Sequence, residues 1–266
     1  MLRDITLGQY YPADSVIHRL DPRVKLFGTL VYLVTLFLTD NFIGYLLALL
    51  FLAVTITVSK VPVSFILRGL KAVMVLLLFS VVLNLFMTKG EVVFSVWKIS
   101  VTKEGIYIAA FMAIRILFLI MGSSIMTLTT TPNNLTDGLE KGLGFLKIFR
   151  VPVHEIAMMM SIALRFIPIL MEETDKIMKA QMARGADFES KKLTKKVKAL
   201  IPLLVPLFVS AFRRANDLAT AMEARCYRGG KGRTKMKPLV YKKRDVLAYL
   251  IIFGYLAAVI LIKIYF

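Results

Sequence analysis

The sequence predicts an all-α polytopic membrane protein, with about five transmembrane helices and a cytoplasmic block of two long crossed helices and a short amphipathic one. Three observations predict it. The 266 residues are 58% hydrophobic with a mean hydropathy of +0.71, a profile that soluble domains of this length do not show. Five apolar windows approach the roughly 20 residues that a spanning helix needs. The formal charge of +18, from 35 Lys and Arg against 17 Asp and Glu, gathers between residues 132 and 244, and basic residues collect in cytoplasmic loops. The expected organisation is a membrane domain with four spanning helices over 1–131, a cytoplasmic helical domain over 132–244 and a last spanning helix over 245–266.

The N-terminal segment is polar and carries Asp4, Asp14 and Asp21 ahead of the first apolar run. That is unlike a cleaved signal peptide, so the chain is expected to be kept whole. The spanning windows are Leu26–Leu38 with its flanks, Phe42–Val58, Leu70–Met87, Ile106–Leu128 and Val246–Ile264. Only Thr39, Asp40 and Asn41 separate the first two, which makes them an antiparallel hairpin. Arg3, Arg19, Arg23 and Lys25 precede the first window, and Lys60, Arg68 and Lys71 fill the second loop, so both belong to the cytoplasmic side. Residues 132–244 hold 23 Lys and Arg against 10 Asp and Glu, the strongest such signal in the chain. Five spans then put the N-terminus in the cytoplasm and the C-terminus outside.

In the third loop Val92, Val93, Phe94, Val96, Ile99 and Val101 alternate toward a short extracellular strand or hairpin, with Trp97 suited to the interfacial belt. Thr102, followed by Glu104 and Gly105, reads as the N-cap of the fourth span with an acid in its first turn. Polar residues inside the spans are few, Asn84 in the third and Arg115 in the fourth. A lipid-facing Arg costs roughly 2.5–3.5 kcal/mol, so Arg115 must face protein, water or headgroups. It marks either a substrate path or a helix contact.

After the fourth span, Pro132 to Asn134 break the chain, and residues 135–149 form a short amphipathic piece through Leu135, Leu139, Leu143 and Leu146. Pro152 opens a long helix to about Arg184, with Met160, Leu164, Ile167, Met171, Thr174 and Met178 as a packing seam. Pro168 predicts a kink in it, and Gly185 a C-terminal stop. A second helix runs from Thr194, an N-cap candidate, to about Arg225 along a seam of Ile201, Val205, Phe208, Phe212, Ala215, Ala219 and Met222, bent by Pro202 and Pro206. Its apolar stretch, 199–212, is too short to cross and is kept at the cytoplasmic face. Each helix approaches about 50 Å if continuous, and small residues such as Ala215 and Ala219 admit a close crossing.

Both helices end alike, in Ala183-Arg184-Gly185 and in Ala224-Arg225-Cys226. An Arg on a last turn is favoured by the helix dipole, and its planar fork can dock with several hydrogen bonds. Either two ordinary helix caps or one repeated docking device accounts for the pair. One cysteine, Cys226, excludes an internal disulfide, and His18 and His154 have no metal-ligand spacing, so no structural metal is expected.

With Leu20-Asp21-Pro22-Arg23-Val24-Lys25, Thr102-Lys103-Glu104-Gly105 and Tyr227 to Thr234, these two endings resemble the T component of energy-coupling factor (ECF) transporters, related to the T subunits of cobalt and biotin uptake systems. The likeness runs over nearly the whole chain. It departs at Cys226, where the family pattern has glycine. The resemblance implies a non-catalytic scaffold of the bacterial or archaeal cell membrane. Its coupling block, the 132–244 domain, sits on two ATP-binding-cassette ATPases, with Ala183, Arg184, Gly185 and Ala224, Arg225, Cys226 at the contacts. Met160, Leu164, Ile167, Met171, Phe208, Phe212, Ala215 and Ala219 would pack the platform and a membrane S component, which chooses the vitamin or other micronutrient. ATP and Mg would lie on the ATPases, with no cofactor and no direct substrate site on this chain. Its own residues agree, since no G-x-x-x-x-G-K-S/T phosphate loop is present.

Three other classes fit less well. A lipid-modifying enzyme would want clustered acids, but Glu172, Glu173 and Asp175 flank Lys176 and Lys179 as a solvated face. An autonomous secondary transporter would show repeated halves and paired polar residues at the midplane. Nucleic-acid binding would want aromatics among the basic residues, and those lysines suit lipid headgroups equally well.

Overall fold

Apolar runs punctuated by Asp-Pro, Pro and Gly set the element order in the computed structural model, which describes residues 10–96, 99–186, 188, 193–230, 236 and 238–265. The helices are α1 (Pro22–Leu38), α2 (Phe42–Ser59), α3 (Val63–Met87), α4 (Lys103–Thr129), α5 (Pro132–Gly142), α6 (Val153–Ala183), α7 (Leu193–Ala224) and α8 (Lys243–Tyr265). Strands β1 (Val92–Val96) and β2 (Ile99–Thr102) form an antiparallel hairpin between α3 and α4, paired from Val96↔Ile99 to Val92↔Thr102. A 3-10 helix, Leu143–Phe149, follows α5. Asp4, Arg3, Trp97 and Lys231 to Thr234, each used in reading the sequence, lie outside the described residues. The chain is an all-α polytopic membrane protein, with the hairpin as a minor addition.

The described residues divide into two compact units, one within Gly8–Lys141 and Leu239–Phe266 and one within Gly142–Pro238. In the first, Tyr32, Leu36, Tyr45, Ala48, Leu52, Ile66, Ile125 and Val259 form the core. Leu30, Val34 and Phe37 of α1 and Leu46, Leu49 and Leu50 of α2 point outward and are exposed. An apolar exterior around a mixed interior is the pattern of helices solvated by lipid. Gly28 lets α8 approach α1, since a Cβ there would lie 2.7 Å from Ile252 Cδ1.

Among the described residues four helices are long and apolar enough to cross a membrane, α2, α4, α6 and α8, and α3 makes five when its 64° bend near Lys71 is counted within one span. The membership differs from the sequence reading. The 17 residues of α1 sit at the lower end of the roughly 17–25 that span. By contrast α6, read from sequence as part of the cytoplasmic block, is apolar enough because its charged residues cluster past Leu170. Thr102 caps α4 as expected, its Oγ1 accepting from Gly105 N–H at 3.1 Å. Pro152 is the N-cap of α6 rather than its first residue.

Arg115 and Asn84 have structural partners. Arg115 Nε donates to Tyr45 Oη at 2.8 Å, and Nη2 donates to Thr39 O at 3.0 Å and reaches Asp40 at 3.4 Å. It thereby ties α4 to the α1–α2 turn, a helix contact. Asn84 Nδ2 donates to Ser80 O and to Met112 Sδ, binding α3 to α4.

Candidate functional site

The ends of α6 and α7 are built alike atom for atom. At the first, Gly185 N–H donates to Met182 O at 2.9 Å and Ala186 N–H to Gln181 O at 3.0 Å. At the second, Cys226 N–H donates to Glu223 O at 2.8 Å and Tyr227 N–H to Met222 O at 3.0 Å. Each is a Schellman motif, in which the residue after the cap turns left-handed and two backbone donors fold back on the last turn. Gly185 takes φ +88° and Cys226 takes φ +54°. Arg184 and Arg225 therefore occupy the same position, the last half-helical residue before the reversal, and both are exposed. The sequence signal for the first ending was the glycine. At the second, a left-handed cysteine holds the same geometry against a steric cost of about 1–2 kcal/mol.

How α6 and α7 pack decides where these tips lie. Glu173 of α6 accepts from Ser210 Oγ and from Arg214 Nη2 at 3.0 Å, and Gln181 Nε2 donates to Pro202 O at 3.4 Å. Moving C-terminally along α6 moves N-terminally along α7, so the helices are antiparallel. That register sets Arg184 beside the first turns of α7, and about 26 residues of α7, about 40 Å at about 1.5 Å per residue, separate it from Arg225. Two equivalent arginine tips thus stand at opposite ends of one helix pair.

Pro202 and Pro206 explain the Gln181 contact. The carbonyl of Pro202 would normally accept from the residue four places on, but that is Pro206, which has no N–H. Gln181 fills the vacancy. Pro168 lies within α6 likewise. Glu173, read from sequence as part of a solvated face with Glu172 and Asp175, is instead the polar anchor between the helices, held by its bonds to Ser210 and Arg214.

The α7 row expected to form the packing seam turns outward. Ser210 and Arg214 face α6 and Leu203 is buried, whereas Ile201, Val205, Phe208, Phe212, Ala215 and Ala219 are exposed. On α6, Leu164, Ile167 and Met171 are half-buried and Met160 is exposed. The polar contacts to Glu173 fix the rotation of α7, and the apolar row lies on another face as a consequence. Beyond the second tip, the chain returns to the start of α6, where Gly230 lies so close against the His154 ring that a Cβ would collide with Cδ2. No sequence rule pointed to that contact.

The Asp21-Pro22-Arg23-Val24-Lys25 run forms a latch in the other unit. Asp21 caps α1, accepting from Arg23 N–H at 2.9 Å and from Arg23 Nε and Nη2 at 3.0 and 2.8 Å. Burial pushes its carboxyl up, but the bonds from Arg23 outweigh that and hold it below the usual carboxylate range. Arg23 stacks over Tyr241, 3.8 Å from the ring centroid. Asp245, 1% exposed, accepts from the N–H of Asp21 at 2.9 Å and of Lys242 at 2.7 Å. The starts of α1 and α8 are thus closed by one buried carboxylate.

A family model described as cobalt transport protein, CbiQ, matches residues 13–236. The chain is 55% identical over 253 residues to the energy-coupling factor transporter transmembrane protein EcfT of Clostridium kluyveri, covering 94% of this chain and 93% of the relative. The protein of the same name from Ruminiclostridium cellulolyticum is 52% identical over 263 residues, 99% of this chain and 98% of its own. That of Bacillus subtilis is 48% identical over 246 residues, 92% and 93%.

Proposed function

The chain belongs to the CbiQ family of transporter transmembrane proteins, with EcfT proteins among its relatives, and on that premise we propose that it is the non-catalytic scaffold through which two ATPase subunits drive a substrate-binding membrane subunit. Each arginine tip engages one ATPase, Arg184 with Ala183 and Gly185 at one end of the helix pair, Arg225 with Ala224 and Cys226 at the other. The observation that carries this is the identity of the two Schellman endings. Left-handed endings and last-turn arginines are each common on helices. What supports the reading is their combination, Ala-Arg at both ends with the second turn held by a left-handed cysteine instead of glycine, at a spacing of about 40 Å that suits two like plugs for two like partners.

The roles follow from the chemistry of the side chains. The guanidinium fork makes several directed hydrogen bonds in a groove, and the small Ala before it leaves the approach open. Such anchors typically cost about 2 kcal/mol or more when truncated. The exposed apolar row of Phe208, Phe212, Ala215 and Ala219, with Met160 on α6, presents surface for the S component. That subunit selects the vitamin or other micronutrient, while ATP and Mg bind on the ATPases. The concentration of Lys and Arg in residues 132–244 supports a cytoplasmic place for that segment and the N-terminus; α6, although apolar enough to cross, then lies along the cytoplasmic face, α1 to α4 and α8 are the five spans, and the C-terminus is outside.

The test is co-purification. Coexpressed with its two ATPases, the chain should pull both down. Arg184→Glu and Arg225→Glu should each weaken capture at least tenfold, and the double variant should abolish ATP-driven uptake while inserting normally. Undiminished capture and uptake by the double variant would overturn the assignment.

A further inference from the structure

In the unit of Gly8–Lys141 and Leu239–Phe266, α1, α2, α4 and α8 enclose a cavity of about 280 Å³. Its walls are mainly apolar, from Tyr32 and Phe51 at the far end to Leu52, Ile125 and Ile252 along the sides, with Thr29 and Thr55 as polar exceptions and the Tyr32 hydroxyl buried without a partner among the described residues. Val54 and Val58 of α2 and Leu247 and Ile251 of α8 also line it and are exposed, so it opens sideways where these helices meet lipid.

One end of the cavity is chemically different. Lys25 and Arg244 line it there, beside the starts of α1 and α8. Lys25 Nζ donates to the carbonyls of Thr129 at 2.8 Å and His18 at 3.2 Å, both neutral acceptors. Arg244 Nε is buried and has no hydrogen-bond partner among the described residues. Asp21 and Asp245, the carboxylates at the starts of α1 and α8, take their hydrogen bonds from Arg23 and from two backbone amides, and against Arg23, Lys25 and Arg244 they leave one positive charge in excess. Two cations side by side, one with a buried donor unmet, leave room for an anion.

We propose that this cavity binds an anionic phospholipid, its phosphate between Lys25 and Arg244 and the upper part of one acyl chain along the groove between α1 and α8. The shape and the charge each exclude a simpler occupant. Free phosphate uses the cations and has no use for an apolar groove running about 10 Å from Lys25 to Tyr32. An uncharged lipid fills the groove but leaves the guanidinium unanswered. A partner helix, about 10–12 Å across with its side chains, is too wide for the space. The polarity also matches a bilayer, because the charged end lies where α1 and α8 begin and α2 and α4 end, at one membrane face, with the apolar end toward the interior.

The test uses the full chain in nanodiscs of equimolar palmitoyl-oleoyl phosphatidylglycerol and phosphatidylcholine, with retained lipid read by native mass spectrometry after detergent release. Phosphatidylglycerol should be retained in preference to phosphatidylcholine. Arg244→Gln should lower its retention about fivefold, the share of one interfacial cation, and the Lys25→Gln/Arg244→Gln pair further. Lys263→Gln, at the other end of α8, should change nothing. Lys25 also ties two carbonyls, so Arg244→Gln and Ala248→Trp, which fills the groove and leaves both cations in place, decide the matter if the double variant misfolds. Ala248→Trp should abolish retention. Equal retention of the two lipids, unchanged retention in Arg244→Gln or Ala248→Trp, or displacement of the lipid by inorganic phosphate would overturn the proposal.

Discussion

Replacing Asp245 by Ala removes one buried carboxylate and leaves two backbone donors without acceptors, the N–H groups of Asp21 and Lys242 at 2.9 and 2.7 Å. Hydrogen bonds to a charged group contribute roughly 1.5–3 kcal/mol each. The two bonds end on the two oxygens of one carboxylate, Oδ1 and Oδ2, so their loss is less than additive and comes to about 3–5 kcal/mol. For a chain of this size that lowers the melting temperature by about 6–20 °C. Asp245→Asn keeps one acceptor oxygen and should lose about half as much. The assay is thermal unfolding of the purified chain in detergent, followed by helical circular dichroism. Native-state hydrogen exchange accompanies it, and protection should fall at residues 21–25 and 242–246 first. An Ala variant that melts with the native chain, or that melts early with no local loss of protection there, would refute the latch.

Other predictions rest on single contacts. Cys226→Gly should stabilise the end of α7 by about 1 kcal/mol by relieving the left-handed cysteine, and Gly185→Ala should destabilise α6 by a similar amount, both read as changes in melting temperature. Gly230→Ala forces a Cβ into the His154 ring and should cost about 1–3 kcal/mol, with protease cleavage after α7 accelerated. Asp21 titrates below its ordinary value of 3.8 when folded, so its contribution is complete above that value and is lost as pH falls through the lower, folded one. Melting temperature should therefore hold from neutral pH down to the ordinary carboxylate range and drop below it, and Asp21→Asn should begin lower and lose that part of the acid dependence.

Much of the fold was legible because lipid solvation leaves long apolar runs, and because Thr102-Lys103-Glu104 and Gly185 are local capping signals that need no tertiary knowledge. Asp21-Pro22 is another such signal, missed by a first window that starts at Leu26. The reading slipped where packing decides. Periodicity alone picked the most apolar row of α7 as its seam, yet in a bilayer-associated helix the apolar row can face lipid or a partner while Ser210 and Arg214 hold the neighbouring helix. Glu173 looked solvated for the same reason, since its partners are 37 and 41 positions away. Among the site residues, the two arginines were found by repetition. That Cys226 would copy the backbone of a glycine, and that Pro206 would free the carbonyl for Gln181, needed coordinates.

The central claim is that two equivalent tips meet two ATPases, and Cys226, exposed beside Arg225, offers a direct probe. A thiol-linked photo-crosslinker on Cys226 reports the α7 tip, and the same reagent on a Cys226→Ser/Ala186→Cys variant reports the α6 tip. In the assembled complex each tip should crosslink to an ATPase subunit, and Arg184→Glu or Arg225→Glu should remove the crosslink at its own end. Crosslinks from either tip only to lipid or to another membrane subunit would contradict it.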